Sequence, residues 1–152
     1  MANEKTKRLG NKGFSLVELI VVIAIMAVLV GVLAPQLIKY VEKSREATDI
    51  QNCDSIATTL KTYFADKEGL TGNITVTVNS AGATSSDSGA TTALSDSGLD
   101  ATKLKGTKWT PNTAPAITIT YDTATGKITY TAESTYYTTG GNGASSEQIR
   151  PK

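Results

Sequence analysis

Residues 14–34 form an apolar run broken by a single charge, Glu18, and the pattern then changes twice along the chain. At 1.5 Å per residue, a helix over this run extends about 30 Å, the thickness of one bilayer hydrocarbon core. From Leu37 onward, Ile38, Val41, Cys53, Ile56, Ala57, Leu60, Tyr63 and Phe64 recur at spacings of three and four, which predicts a helix with one apolar face. Lys39, Glu42, Lys43, Arg45, Glu46 and Asp49 are assigned to the opposite face, as a solvated charge run. Gly69, directly after Lys67 and Glu68, is the expected helix stop.

Beyond Gly69 the period falls to two. Ile74, Val76 and Val78 alternate with threonines, as do Ile117, Ile119 and Tyr121, and then Ile128 and Tyr130. Residues 122–127 read as a hairpin connection, with Gly126 where the backbone needs a positive φ. A lone hairpin is marginal, so the sheet is expected to complete its core on the helix face of residues 53–64. The predicted fold class is therefore α+β: a long N-terminal helix, transmembrane over 14–35 and amphipathic over 36–68, packed against a small antiparallel sheet within 69–152. Residues 79–108, rich in Ser, Thr, Ala, Gly and Asp, read as an exposed loop with a short helix over 97–104 and Trp109 pinning it to the sheet. The tail from Thr138 is expected to be loosely held.

Charge sharpens the reading of the first segment. Lys5, Lys7, Arg8 and Lys12 precede the apolar run against one acid, Glu4. The positive-inside bias keeps that end in the cytoplasm and sends the remainder across the membrane once. Glu18 is costly in such a helix, about 2.5–3.5 kcal/mol for a charge at the bilayer centre, so it calls for a partner or a function. An ordinary signal peptide cut after Val32-Leu33-Ala34 is one alternative, opposed by Pro35 at the cut and by Glu18 in the apolar region. A plain membrane anchor explains the length but not Glu18 or the Gly13-Phe14 junction.

The basic leader, the Lys12-Gly13-Phe14 junction, Glu18 as the fifth residue counted from Phe14, and the long apolar helix together resemble the type IV prepilin family. That resemblance covers residues 1 to about 68. It implies a leader, residues 1–13, removed by a membrane-embedded prepilin peptidase that cuts after Gly13 and methylates the new amino terminus of Phe14. It implies a subunit held in the cytoplasmic membrane until the pilus assembly machinery builds it into a helical homo-oligomer displayed at the cell surface. In that filament Glu18 meets the ammonium of Phe14 and sets subunit register. A polar pair inside an apolar helix bundle has the same effect on physical grounds.

Gly31 and Pro35 are the expected helix kink. Pro35 lacks the amide that would bond the Gly31 carbonyl, and glycine holds its own turn weakly, so both defects fall on one hydrogen bond. An inert kink, tolerated as in other membrane helices, is the bland alternative.

Composition excludes most chemistry. The formal charge is +1, and losing residues 1–13 removes four basic side chains and one acid, leaving −2, with no basic patch for nucleic acid. With no histidine and one cysteine, neither a histidine-based nucleophile system nor a zinc site of the usual ligands can be built, and no enzyme activity, cofactor or metal is expected. Cys53 reads as a small buried hydrophobe. It also cannot form the C-terminal cysteine pair that closes a loop in many pilins. Asp87, Asp96 and Asp100 fit no calcium-loop spacing, and Asn73-Ile74-Thr75 matches the glycosylation acceptor pattern without further support. Two function classes remain. One is a pilus subunit serving adhesion, aggregation or twitching motility. The other is a pseudopilin of a type II secretion or DNA-uptake fibre, disfavoured because the major secretion pseudopilins carry a C-terminal calcium site and tryptophan motif, whereas the only tryptophan here is Trp109 and the tail lacks that pattern.

Overall fold

The structure, a computed structural model, describes residues 13–110, 114–140 and 144–152. The chain divides into two units, Met1–Ile38 and Lys39–Lys152. Residues 1–12 of the 1–13 leader lie outside the described residues, as do 141–143 of the glycine-rich tail.

The described part of the first unit is the beginning of helix α1, Leu16–Phe64, which is helical through Gly31 and contains Pro35. Every side chain of residues 13–41 is exposed, including Leu16, Leu19, Ile20, Ile23 and Val30. This stretch meets the length and composition needed to cross a membrane. So much continuous apolar surface far exceeds what a soluble monomer carries.

The second unit is an α+β head. Its helical part is the continuation of α1, which buries Cys53, Ile56, Ala57, Leu60 and Phe64. The sheet comprises β1 (Asn73–Asn79), β2 (Ala83–Ser85), β3 (Ala116–Asp122) and β4 (Lys127–Thr131), all antiparallel in the order β2-β1-β3-β4. The register follows from the apolar alternation. Val76 lies opposite Ile119, which lies opposite Tyr130, and Ile74 opposite Tyr121, which lies opposite Ile128. A slip by one residue would turn each row outward. These rows and the buried face of α1 form one core, in which the Phe64 ring stacks on Tyr121 at 5.7 Å between centroids.

The hairpin stands as the sequence predicts. Gly126 adopts φ 68°, and Asp122 accepts the Ala124 amide at 2.9 Å and the Thr125 hydroxyl at 2.7 Å. Those bonds, the hydroxyl first and then the backbone amides, hold the Asp122 carboxyl below its ordinary value.

Four local expectations need correction. Helix α1 ends at Phe64, not Glu68, because Phe64 turns into the core and the chain leaves it, although Gly69 does take a positive φ of 77°. The short helix is not over 97–104 but earlier: α2, Ser88–Asp96, begins where Asp87 accepts the Ala90 amide at 2.8 Å. Ser97 caps its C-terminal end and Gly98 (φ 68°) turns the chain away, so that Ser-Gly pair is a stop, not a start. The 79–108 segment is thus not simply an exposed loop: Ala83, Ala90, Ala93 and Leu94 anchor it in the interior. Nor are the described residues of the tail loose. Strand β5 (Tyr137–Thr138) pairs with β6 (Arg150–Pro151), Ser146 exchanges two backbone hydrogen bonds with Tyr130, and Thr139 is buried.

Candidate functional site

The candidate assembly residues open the first unit. Gly13 and Phe14 precede the helix, Phe14 is 91% exposed, and a Cβ at Gly13 would meet nothing within 4 Å. The Ser15 amide donates to Glu18 Oε2 at 2.8 Å. Helix α1 begins one residue after Ser15, so Ser15 is its N-cap and Glu18 its third residue. This is half of a capping box, in which the acid reaches back to the first free amide of the helix. The Ser15-x-x-Glu18 spacing of this cap is legible in the sequence, beside the partner that the charge of Glu18 calls for. A carboxylate in the first turn also faces the positive end of the helix dipole, which favours it there. Gly31 and Pro35 lie farther along α1, and a Cβ on Gly31 meets nothing within 4 Å. Packing among the described residues therefore does not demand the glycine.

Residues 8–34 match the family model of the prokaryotic N-terminal methylation motif, so the Gly13-Phe14 junction, Glu18 and most of the exposed apolar stretch fall inside one recognised unit. In this N-terminal part the chain is similar to type IV pilins. Its similarity to the Type IV major pilin protein PilA of Myxococcus xanthus is 33% identity over 58 residues, 38% of this chain. The match spans about a quarter (26%) of that relative's own length. No solved structure matches the chain significantly.

The head holds a second site that the residue pattern alone does not reveal. Glu42, Glu46 and Asp49 are not on a solvated face but buried, the latter two completely. They lie on successive turns in line with Cys53, Ile56 and Leu60, so they continue the apolar stripe toward the N-terminus. That spacing was the available signal. Charge identity overrode it, because acids on such a stripe make sense only once their donors are known. The expected stripe members Ile38 and Val41 are exposed instead.

The donors come from residues 105–109 and from Ser134, far away in sequence. Asp49 Oδ1 accepts the Lys105 amide at 2.7 Å, and its Oδ2 accepts the Gly106 amide at 2.7 Å and Trp109 Nε1 at 2.9 Å. Glu42 Oε1 accepts the Thr107 amide and, at 2.8 Å, the Thr107 hydroxyl. Glu46 Oε2 accepts the Ser134 hydroxyl at 2.6 Å, and Ser134 Oγ in turn accepts the Tyr136 and Tyr137 amides. Gly106 permits this approach: a Cβ there would fall 2.6 Å from Glu46 Cγ and 3.0 Å from Asp49 Oδ2. Three carboxylates thus clasp a loop and a turn onto the helix. Trp109, expected to pin its loop to the sheet, instead binds Asp49 and stacks with Tyr137 at 6.4 Å.

Burial pushes the Glu42 carboxyl up, but the Thr107 bonds, with Arg45 and Lys108 nearby, outweigh it and hold Glu42 below its ordinary value. Glu46 goes the other way: burial raises it, the single Ser134 bond offsets only part, and Glu42 and Asp49 add to the rise. Cys53 is free and fully buried, and burial beside Asp49 and Asp54 drives its thiol far above the usual range, as befits a packing residue.

Proposed function

We propose that this chain is a structural subunit of a type IV pilus, polymerising through its apolar N-terminal helix into a surface filament. The observation that carries this reading is the wholly exposed apolar run of residues 14–34, which lies inside a methylation motif. In the membrane its surface is covered by lipid, and in a filament by neighbouring copies. Cleavage after Gly13 by a prepilin peptidase frees the Phe14 amine, and methylation keeps it cationic. Glu18, one turn away, then supplies the matching charge across subunits and fixes their axial register. The filament would serve adhesion, aggregation or twitching, and the pilin-like class gives no reason to assign an enzyme activity.

Shearing cells and measuring the mass of the released protein tests this reading. The expected product starts at methylated Phe14 and appears in abundant fibres. Changing Gly13 to a bulky residue should leave full-length precursor in the membrane, because an extended backbone in a peptidase cleft has little room for a side chain. A product starting at Pro35 would replace the pilin reading with a secretory signal peptide. Correct processing without sheared fibres would point to a pseudopilin of a secretion or DNA-uptake system.

Gly31 and Pro35 are proposed as the stretch that yields when the subunit leaves the bilayer. Pro35→Ala restores one backbone hydrogen bond and should stabilise the local helix by about 3 kcal/mol if the interior-proline penalty applies in full. Amide exchange through residues 31–35 should slow, and the stiffer subunit should assemble poorly or give less extensible fibres. Unchanged exchange together with normal fibres would leave the proline an inert kink.

A further inference from the structure

The carboxylate clasp is unevenly supplied with donors. Asp49 takes three and Glu42 two, with Arg45 Nη1 also 3.8 Å from Glu42 Oε2. Glu46 is fully buried, receives only the Ser134 hydroxyl, and its Oε1 has no partner among the described residues. From its own helix it faces two acids, Glu42 and Asp49. The 105–109 loop offers the Lys108 cation, and the turn at 134 offers a neutral hydroxyl. A bare buried carboxylate oxygen beside two other acids is costly, and the ligand that removes this cost is a proton.

We propose that Glu46 is a proton-binding site of the head, protonated while the clasp is closed, and that its ionisation loosens residues 105–109 and 134–137 from the helix. The proposal stands apart from filament assembly, since every group in it belongs to the head. Protonation reduces three adjacent negative charges to two, and those two are the carboxylates that hold backbone amides. The direction of the raised Glu46 carboxyl agrees with this geometry.

The consequence for pH has a definite sign. The unfolded chain releases this proton near the ordinary value of 4.5, the folded head only at higher pH. Between those two points the folding equilibrium weakens by up to about tenfold per pH unit, and it levels off above the folded value. Glu42 has the opposite sign: its stabilisation is present above 4.5 and is lost as pH falls through its lowered folded value. For these two groups together the clasp is tightest near the ordinary carboxylate range and weakens on both sides.

Carboxyl-carbon NMR of the full-length chain in detergent micelles, with labelled glutamate, measures the Glu46 titration without any substitution. A midpoint above the ordinary value of 4.5 is expected; a midpoint at or below 4.5 overturns the proposal. Glu46→Gln mimics the protonated acid, so its stability, followed by the fluorescence of Trp109, should lose the decline on the alkaline side and keep the acid one. An alkaline decline unchanged in Glu46→Gln also overturns it. Ser134→Ala provides a further check, because removing the one donor should raise the Glu46 midpoint again; a lowered midpoint contradicts the assignment.

Discussion

Asp49→Ala is expected to destabilise the head by about 3–5 kcal/mol, the usual cost of removing one partner from a buried charged arrangement. The substitution strands the Lys105 and Gly106 amides and Trp109 Nε1 together. Each buried donor left unpaired costs roughly 1–3 kcal/mol, and the loop cannot turn them to water without withdrawing Trp109 from the interior. Trp109 is the only tryptophan, so its fluorescence in a urea titration of the full chain reports the clasp directly. Asp49→Asn should recover part of the loss, since the amide keeps one acceptor oxygen but turns a second donor toward the loop. Gly106→Ala should act in the same direction by a different route, pressing a methyl group against Glu46 and Asp49. A loss below about 1 kcal/mol for Asp49→Ala would mean that the loop rehydrates freely and that the clasp contributes little beyond an ordinary hydrogen bond.

Glu18→Leu should leave membrane insertion intact or improved while filament yield collapses. Insertion gains because a charge worth about 2.5–3.5 kcal/mol at the bilayer centre is gone. Assembly loses the proposed partner of the Phe14 ammonium, and α1 loses the acceptor that holds the Ser15 amide. Loss of a cap costs about 1 kcal/mol, too little to abolish a helix anchored by so long an apolar stretch. The two roles separate with Glu18→Gln, which keeps an oxygen for Ser15 but carries no charge. If charge pairing governs assembly, Glu18→Gln behaves like Glu18→Leu; if capping governs it, Glu18→Gln assembles normally. Immunoblots of sheared and membrane fractions, from cells lacking other pilins, supply the comparison. Normal yield from Glu18→Leu removes both roles.

Much of the architecture was legible from residue patterns, and the reasons differ by element. The long apolar run needed no partner to be recognised, because length, hydropathy and a basic flank are local properties. The inward face of each strand was legible for a similar reason: Ile74, Val76 and Val78, like Ile117, Ile119 and Tyr121, alternate with polar residues, whereas the pairing of Val76 with Ile119 came from the fold. The hairpin at Gly126 follows from one residue's tolerance of positive φ. Helix α2 was misplaced because its short alanine-and-threonine stretch has little periodicity of its own, and its start depends on a single Asp87 side chain. The tail was misread because residue composition does not reveal that Ser146 has Tyr130 to pair with.

The methylation motif, the apolar helix with Glu18 in its first turn, and the α+β character of the head can all be read from residue patterns alone. These rest on interactions with solvent, lipid or near neighbours, which a linear pattern records. That Glu42, Glu46 and Asp49 are interior residues follows from the folded arrangement and from nothing local. Whether a carboxylate is solvated or buried depends on donors brought to it, and here those donors lie more than fifty residues away along the chain. No local property of the helix encodes their arrival.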